Sequence, residues 1–226
     1  MRKPGRASSS KAGFRRSKQR LCLVGLQSGN QHMHSMPLPS APQADMRTVL
    51  LGEDDAALVQ SFYDANPDYF VLLSGRPASP GAALIDLRAF AAQDFSDARK
   101  HFIGVLGASG QLLAVADIIE NYPAPAVWHL GFFIVTTALH RTGFAQRWLY
   151  QLEVWTQSQG AQYLRLGVAQ VNLRGRRFWE KTGFVPATVR RGVDLGGHVH
   201  DVQTMVKPLD RADMATYYAL APRDRG

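Results

Sequence analysis

The sequence predicts a mixed α/β fold in which an antiparallel meander is followed by a strand-helix-strand crossover. Strand-like apolar segments between residues 100 and 135 are joined by short turns, which is typical of antiparallel neighbours. A helical apolar period then covers residues 143–159, and another strand-like segment follows it. A helix of that length between two strands forms a crossover, which places the two strands side by side and parallel.

The region before the meander contains one strand and two helices. "MRTVLLG", residues 46–52, has the pattern of a first strand. Asp54 or Asp55 can cap a helix through "AALVQSFYDA", residues 56–65. A stretch rich in proline and glycine follows, and residues 86–95 are predicted to form a second short helix.

The meander has three strands. "KHFIGVLG" (100–107) and "QLLAVADIIENY" (111–122) are joined by "ASG", which is typical of a hairpin turn. "NYPAP" then turns the chain into "AVWHLGFFIV" (126–135). Short connections of this kind make each strand the antiparallel neighbour of the next.

The second half continues the alternation. Gly160 ends the crossover helix, and "AQYLRLGVA" (161–169) is the strand after it. A short helix over residues 173–183 and a final strand pair over residues 184–193 and 198–209 complete the order.

Most of the net charge lies in the N-terminal extension. The chain has 226 residues and a net charge of +8, and eight Lys or Arg residues against one Asp fall within residues 1–45. Because that segment has few apolar residues, we expect a disordered extension, or translated upstream sequence with the start at Met36 or Met46. A transit peptide, or an arm that touches nucleic acid, is a further alternative. Residues 46–226 are expected to form the folded domain.

The sequence argues against several other classes of protein. Cys22 is the only cysteine, so there is no intrachain disulfide and no cysteine-based metal site, and a reducing cytoplasm fits best. No apolar run approaches the length of a membrane-spanning helix. His198 and His200 alternate with valine, which is typical of the polar face of a strand, so we expect no metal site.

The start of the crossover helix, "HRTGFAQRW", has the features of an anion site. The first amides of a helix have no intrahelical acceptors, and the helix dipole favours a negative group there. Gly143 and Ala145 would let an anion approach the backbone, and His140 and Arg141 add cationic donors. Ordinary turn chemistry would explain the same nonamer when it is read alone.

Two segments together resemble the GCN5-related N-acetyltransferase superfamily. Its cofactor motif runs Gln/Arg-x-x-Gly-x-Gly/Ala, and His140, Gly143 and Ala145 stand at the matching positions, with histidine in place of the usual first residue. "NLRGRRFWEKTGF", residues 172–184, resembles the superfamily's Asn-x-x-Ala-x-x-Leu-Tyr-x-Lys-x-Gly-Phe segment. Trp179 stands where the superfamily has tyrosine.

The resemblance implies the fold's splayed central strands and transfer of an acetyl group from acetyl-coenzyme A to a primary amine by direct attack. The pyrophosphate would lie on the amides of the nonamer, and the pantetheine arm along the strand before it. By carry-over, the following residues would bind the coenzyme: Phe133, Ile134, Val135, His140, Arg141, Thr142, Gly143, Phe144, Ala145 and Asn172. For Asn172, capping of the helix that follows is as good an explanation as binding of the coenzyme. In this family acetyl-coenzyme A is the substrate that donates the acyl group. The resemblance implies no metal ion.

The catalytic acid and base remain open at this stage. Glu120, Asp117 and His129 are candidates for the base; strand alternation puts Asp117 and Glu120 on opposite faces. Asp117 could instead stabilise the turn that follows its strand, and His129 could instead have a structural role. Trp179 cannot replace the tyrosine that often acts as the acid, because an indole N–H does not give up its proton near neutral pH. A non-catalytic acyl-coenzyme A sensor or interaction module is therefore the alternative function.

The acceptor pocket is implied by the same resemblance. It would be built from residues 62–70 and 193–201, where Asp64 and Asp68 could hold a cationic amine. A small molecule and a protein amine both remain open as acceptors. No membrane partner is expected, nucleic acid is expected only through the basic extension, and a homodimer is compatible with the sequence.

Overall fold

The computed structural model of the protein describes residues 36–90 and 95–225. The predicted disorder of the extension therefore lies outside the described residues as far as residue 35, as do residues 91–94 of the predicted second helix. Pro37 accepts a hydrogen bond from the Trp155 indole, 2.6 Å from Nε1 to the carbonyl oxygen, and Pro39 is buried. Packing against the folded part thus begins before Met46. The division of the chain at residue 45 stays a prediction.

The described chain contains seven strands and six α-helices. The strands are β1 (Arg47–Leu50), β2 (Arg99–Leu106), β3 (Leu112–Glu120), β4 (Val127–Val135), β5 (Tyr163–Ala169), β6 (Val185–Asp194) and β7 (Val199–Pro208). The α-helices are α1 (Ala56–Ala65), α2 (Asp68–Ser74), α3 (Ala82–Arg88), α4 (Phe144–Ser158), α5 (Leu173–Lys181) and α6 (Met214–Leu220). Short 3-10 helices cover Glu53–Asp55, Thr137–Leu139 and Pro222–Asp224.

One mixed sheet has the strand order β1-β2-β3-β4-β5-β7-β6. The predicted mixed α/β fold is confirmed: β2, β3 and β4 form the antiparallel meander, and β4 and β5 pair in parallel across the crossover helix α4. The sequence missed α2 and α6, and placed the second helix too late. The observed helix, α3, ends at Arg88 because the backbone of Ala89 is extended, with φ −60° and ψ 130°.

β4 and β5 separate toward their C-terminal ends. Their pairing runs from Val127 opposite Tyr163 to Leu130 opposite Leu166 and goes no further, although β4 continues for five residues. β5 pairs along its whole length with β7 on its other side. The divergence opens a gap between the two strands, as the superfamily resemblance implies.

A bulge at Gly131 changes which face of the sheet the end of β4 presents. Leu130 lies opposite Ile118 and Phe132 opposite Asp117, so Gly131 has no partner on β3. Trp128 therefore packs on Trp155 of α4, whereas Phe132 packs on Tyr63 of α1 on the opposite face. Without the extra residue, strand alternation would put positions 128 and 132 on one face.

The two faces carry different helices. Helices α1 and α3 cover one face with a core that includes Phe62, Phe102 and Val115, and Tyr217 of α6 packs on Tyr163 of the same face. Helices α4 and α5 cover the other. The gap between β4 and β5 therefore connects the two faces.

Candidate acetyl-transfer site

A cleft of about 770 Å³ follows the gap between β4 and β5. It begins at the loop before α4 on one face and ends between α2 and the β6–β7 hairpin on the other. Eight of the ten predicted coenzyme-binding residues line this cleft: Phe133, Ile134, Val135, His140, Arg141, Gly143, Ala145 and Asn172. Thr142 and Phe144 do not.

The end of β4 directs main-chain groups into the gap. Thr136 donates its amide to Leu113 of β3 at 2.8 Å, so these opposed residues form a hydrogen-bonded pair. Antiparallel pairs alternate, so Ile134 also bonds to β3, whereas the groups of Phe133 and Val135 point away from it. Of the three strand residues predicted to pair with a ligand, only Phe133 and Val135 therefore offer main-chain groups to the gap.

The loop before α4 presents a row of amides. Arg141 and Gly143 both have positive φ, 64° and 80°, which turns successive N–H groups in one direction. Among the described residues, the amides of Arg141, Thr142 and Gly143 donate to no protein acceptor. Ala145 lies in the first turn of α4, whose amides have no intrahelical acceptor. This geometry suits a phosphate group.

His140 holds this loop with its side chain. Its Nε2 lies 2.9 Å from the carbonyl oxygen of Val135 and donates to it. The Nε2–H of the imidazole is therefore engaged at the end of β4, whereas the side chain of Arg141 is exposed. Thr142 bonds to Leu139, accepts from the amide of Phe144, and shapes the loop from outside the cleft.

The second motif forms the wall of the cleft on the α5 side. Asn172 caps α5, its Oδ1 accepting from the amide of Gly175 at 2.8 Å, and it lines the cleft as well. Trp179 packs edge-on against Phe133. Arg174 and Lys181 add positive charge to this wall, whereas Arg176 pairs with Glu180 at 2.9 Å.

The three predicted base candidates lie in different places. Glu120 contacts His101, 3.3 Å from Oε2 to Nε2, on the α4 face and away from the cleft. Asp117 lies on the opposite face, as alternation predicted, with its carboxylate 3.3 Å from the Lys100 ammonium. His129 lines the cleft.

The environments of Asp117 and His129 shift their proton affinities in opposite directions. Burial raises the pKa of Asp117 to about 6, against the opposing effect of Lys100. Burial and the adjacent Arg165 guanidinium lower the pKa of His129 to about 3. Arg165 Nη1 lies 3.1 Å from His129 Nδ1, and a guanidinium only donates, so Nδ1 accepts and Nε2 carries the proton.

Sequence reasoning missed Arg165 and Asn66. Arg165 is 4% exposed and forms a two-point ion pair with Asp224, at 2.6 and 3.0 Å; a lone arginine in an apolar strand was the available signal. Buried Asn66 accepts from the amide of Thr137 at 2.9 Å and so ties the end of α1 to the loop after β4. Of the predicted acceptor acids, Asp68 lines the cleft and Asp64 does not.

Among the described residues, none of the helices combines the length and the apolar composition that a membrane crossing requires. In the ranges 36–90 and 95–225, no cluster of three or more histidine, cysteine or acidic side chains has a geometry suited to a metal ion.

A model of the Acetyltransferase (GNAT) family matches residues 59–184. Solved structures agree with the fold. An acetyltransferase from Thermus thermophilus is 18% identical, with 73% of this chain and 97% of that chain covered and a TM-score of 0.56. The ribosomal-protein-S18-alanine N-acetyltransferase from Escherichia coli is 18% identical, with 74% and 96% covered and a TM-score of 0.54. The ribosomal-protein-S5-alanine acetyltransferase from Vibrio fischeri is 13% identical, with 76% and 97% covered and a TM-score of 0.58. No curated protein sequence matches the chain.

Proposed function

The chain belongs to the Acetyltransferase (GNAT) family, and from that premise we propose that it transfers an acetyl group from acetyl-coenzyme A to a primary amine by direct attack. The observation that carries the proposal is the gap between β4 and β5, which opens beside unpaired amides at the start of α4. The predicted cytoplasmic location and homodimer stay predictions.

The residues of the cleft fit the donor substrate. The amides of Arg141, Thr142, Gly143 and Ala145 would hold the pyrophosphate, with Arg141 adding charge. The main-chain N–H and C=O of Phe133 and the N–H of Val135 would pair with the pantetheine arm, because the C=O of Val135 already accepts from His140. A backbone N–H at this point can also polarise the thioester carbonyl as negative charge develops on its oxygen.

Direct attack requires a neutral amine and therefore a base. A carbon–nitrogen bond forms as the carbon–sulfur bond of the thioester breaks; the amine gives up one proton, and the leaving thiolate takes up another. We assign the first proton to Asp117, because a carboxyl with a pKa of about 6 is a more effective base near neutral pH than a histidine with a pKa of about 3. Glu120 faces His101 instead.

Gly131 supplies the route between Asp117 and the cleft. A Cβ atom at position 131 would lie 3.6 Å from Asp117 Oδ2, and Gly131 lines the cleft. One water beside the glycine would connect the carboxylate to the amine. An indole N–H can donate a hydrogen bond but does not give up its proton near neutral pH, so Trp179 cannot act as the acid. The proton that the thiolate takes up therefore comes from solvent.

Release of free thiol from acetyl-coenzyme A by the full chain, with a broad panel of amines, tests the function. We expect turnover with at least one amine, and a loss of about 10²–10⁴ in kcat for Asp117→Asn. Glu120→Gln, on the opposite face of the same strand, is the matched control and should change kcat only slightly. Gly131→Ala should fold normally, since its methyl would make an ordinary contact, and should slow turnover.

Two results would contradict the proposal. Binding of acetyl-coenzyme A without thiol release for any amine would favour the non-catalytic module. Trp179 at the tyrosine position is the feature of the sequence that supports this alternative. An Asp117→Asn variant as active as Glu120→Gln would remove Asp117 as the base.

A further inference from the structure

The floor of the cleft, on the face of α1 and α6, is formed by His129 of β4 and Arg165 of β5. These residues lie opposite each other in the parallel pairing and are joined through Nδ1 and Nη1 at 3.1 Å. Asp224 bonds to Arg165 from behind and also accepts from the Tyr217 hydroxyl. The C-terminal segment therefore fixes the position of both side chains.

The side chains of this floor offer hydrogen-bond donors only. Arg165 has five N–H groups, of which the contacts with Asp224 and His129 use three. The Nε2–H of His129 has no side-chain partner among the described residues, although the main-chain carbonyl of Arg165 lies near the imidazole. Asp224 neutralises the charge of Arg165, and its oxygens are occupied. An ammonium would find no free side-chain acceptor here, whereas an oxygen with lone pairs would find several donors.

Arg190 adds charge on the same face. It lies opposite Val202 of β7, which in turn lies opposite Ala169 of β5, four residues after Arg165. Paired residues share a face, and so do residues two apart on a strand. Arg190 is exposed, lines the cleft, and has no ion-pair partner among the described residues.

We propose that His129 and Arg165 form a subsite for the carboxylate of an amino-acid acceptor, with the positive charge of Arg190 on the same face attracting that carboxylate. The inference rests on the proposed function and names the class of its second substrate. The carboxylate lies on the floor, and the neighbouring α-amine points toward Gly131 and the thioester. Tyr69, Leu73 and Leu195 form the apolar wall opposite, which favours an apolar side chain on the acceptor.

Pairs of substrates that differ only in the carboxylate test this subsite. Leucine, methionine and phenylalanine are compared with 3-methylbutylamine, 3-(methylthio)propylamine and 2-phenylethylamine, with kcat/KM as the readout. We expect at least one amino acid to exceed its decarboxylated partner by about 100-fold or more, because donors left unpaired reject the analogue. Equal kcat/KM within every pair would overturn the inference while leaving the proposed function intact.

Arg190→Gln tests the charge without disturbing the core. We expect kcat/KM to fall about tenfold for the amino acid and by a clearly smaller factor for the amine. Arg191→Gln is the matched control, because Arg191 is the next residue, is exposed, and lies outside the cleft, 3.7 Å from Asp201. An equal loss for both substrates in Arg190→Gln would contradict a carboxylate subsite.

Binding separates the subsite from catalysis. The full chain saturated with coenzyme A is titrated with each amino acid in a calorimeter. Binding that Arg190→Gln weakens about tenfold would support the subsite even if no acetyl group were transferred, in which case only the proposed function would fail. Absence of binding for all three amino acids would overturn the inference, whatever amines are acetylated.

Discussion

Arg141 occupies a backbone conformation that residues with a side chain rarely adopt. Its φ of 64° lies in the left-handed region, which costs an L-residue roughly 1–2 kcal/mol. The same conformation turns the amides of Arg141, Thr142 and Gly143 in one direction. The strain therefore maintains the geometry that we assign to phosphate binding.

Replacing Arg141 separates the role of its backbone from that of its charge. Arg141→Gly and Arg141→Ala both remove the guanidinium, but only glycine accepts φ 64° without strain. We expect the glycine variant to be more stable by about 1 kcal/mol in urea denaturation. Calorimetry should show weaker binding of acetyl-coenzyme A to both than to the unchanged chain. Equal stability of the two variants would mean that the loop relaxes to another conformation.

Gly143 and His140 have different roles in the same loop. A branched side chain at Gly143 is strained at φ 80°, and its Cβ would lie 3.1 Å from Arg147 Nη1, so Gly143→Val should displace the amide row. We expect acetyl-coenzyme A to bind at least about 100-fold more weakly, which corresponds to two lost charge-assisted hydrogen bonds. His140→Ala removes a bond to Val135 and should cost about tenfold or less. Similar losses would indicate that side chains hold the phosphates.

At the residue scale, the sequence predicted positions better than side-chain directions. Gly143 and Ala145 could be assigned to the start of α4 because their spacing after a strand restricts what they do. The bond from His140 to Val135 depends on a side-chain rotamer, and the pairing of Arg165 with Asp224 joins residues 59 apart. Neither contact leaves a local pattern in a sequence.

At the scale of the elements, prediction succeeded where a periodic pattern of apolar residues extended over many residues. Helix α4 and the strands of the meander carry clear periods, and their ends were predicted within two residues. Helices α2 and α6 have seven residues each, too few for a clear period, and such short helices are stabilised mainly by tertiary packing. The bulge at Gly131 was also missed, because a single glycine in a strand does not reveal register.

Asp117 makes the stability of β3 and its neighbours depend on pH. Because burial raises the pKa of Asp117 to about 6, the folded chain holds this proton where the unfolded chain, with a pKa near 3.8, has lost it. The contribution of Asp117 to the free energy of unfolding is therefore fully present below about pH 4 and is lost as the pH rises through about 6. Asn at this position keeps the shape without the titration.

We expect the stability of Asp117→Asn, relative to the unchanged chain, to increase between pH 4 and pH 7. The upper limit is about 3 kcal/mol, from a shift of about two pKa units. Urea denaturation at pH 4.5, 5.5 and 7 measures the difference, and Glu120→Gln serves as the control. A constant difference across this range would show that Asp117 titrates alike in both states.

At the scale of the whole molecule, connection lengths determined most of the topology. Short turns gave the meander, and one long crossover gave the parallel pair at the centre of the sheet. The separation of β4 from β5 came only from the family resemblance, because both strands have continuous apolar patterns. The closing of the fold by its C-terminal residues was missed, since it depends on one acidic side chain, Asp224, that meets Arg165 across the sheet.

That long-range contact makes the last residues of the chain important for overall stability. The side chains of Arg165 and Asp224 are 5% and 2% exposed. Burial opposes the charge of Asp224, but Arg165 and the Tyr217 hydroxyl more than offset it, so the pKa of Asp224 lies below its ordinary value. This pair therefore stabilises the chain above about pH 4 and loses that effect in acid, opposite in sign to Asp117.

Removal of Asp224 should destabilise the fold more than removal of a partly exposed ion pair. Asp224→Ala leaves a buried guanidinium without its counter-ion, and we expect a loss of about 3–5 kcal/mol in urea denaturation at pH 7. Glu153→Gln, which breaks the more exposed contact with Lys207, is the control and should cost less. Arg165→Met combined with Asp224→Leu should recover most of the stability, because apolar side chains can replace a buried pair. If the double variant were as unstable as Asp224→Ala, the loss would come from packing of the C-terminal segment and not from the unpaired charge.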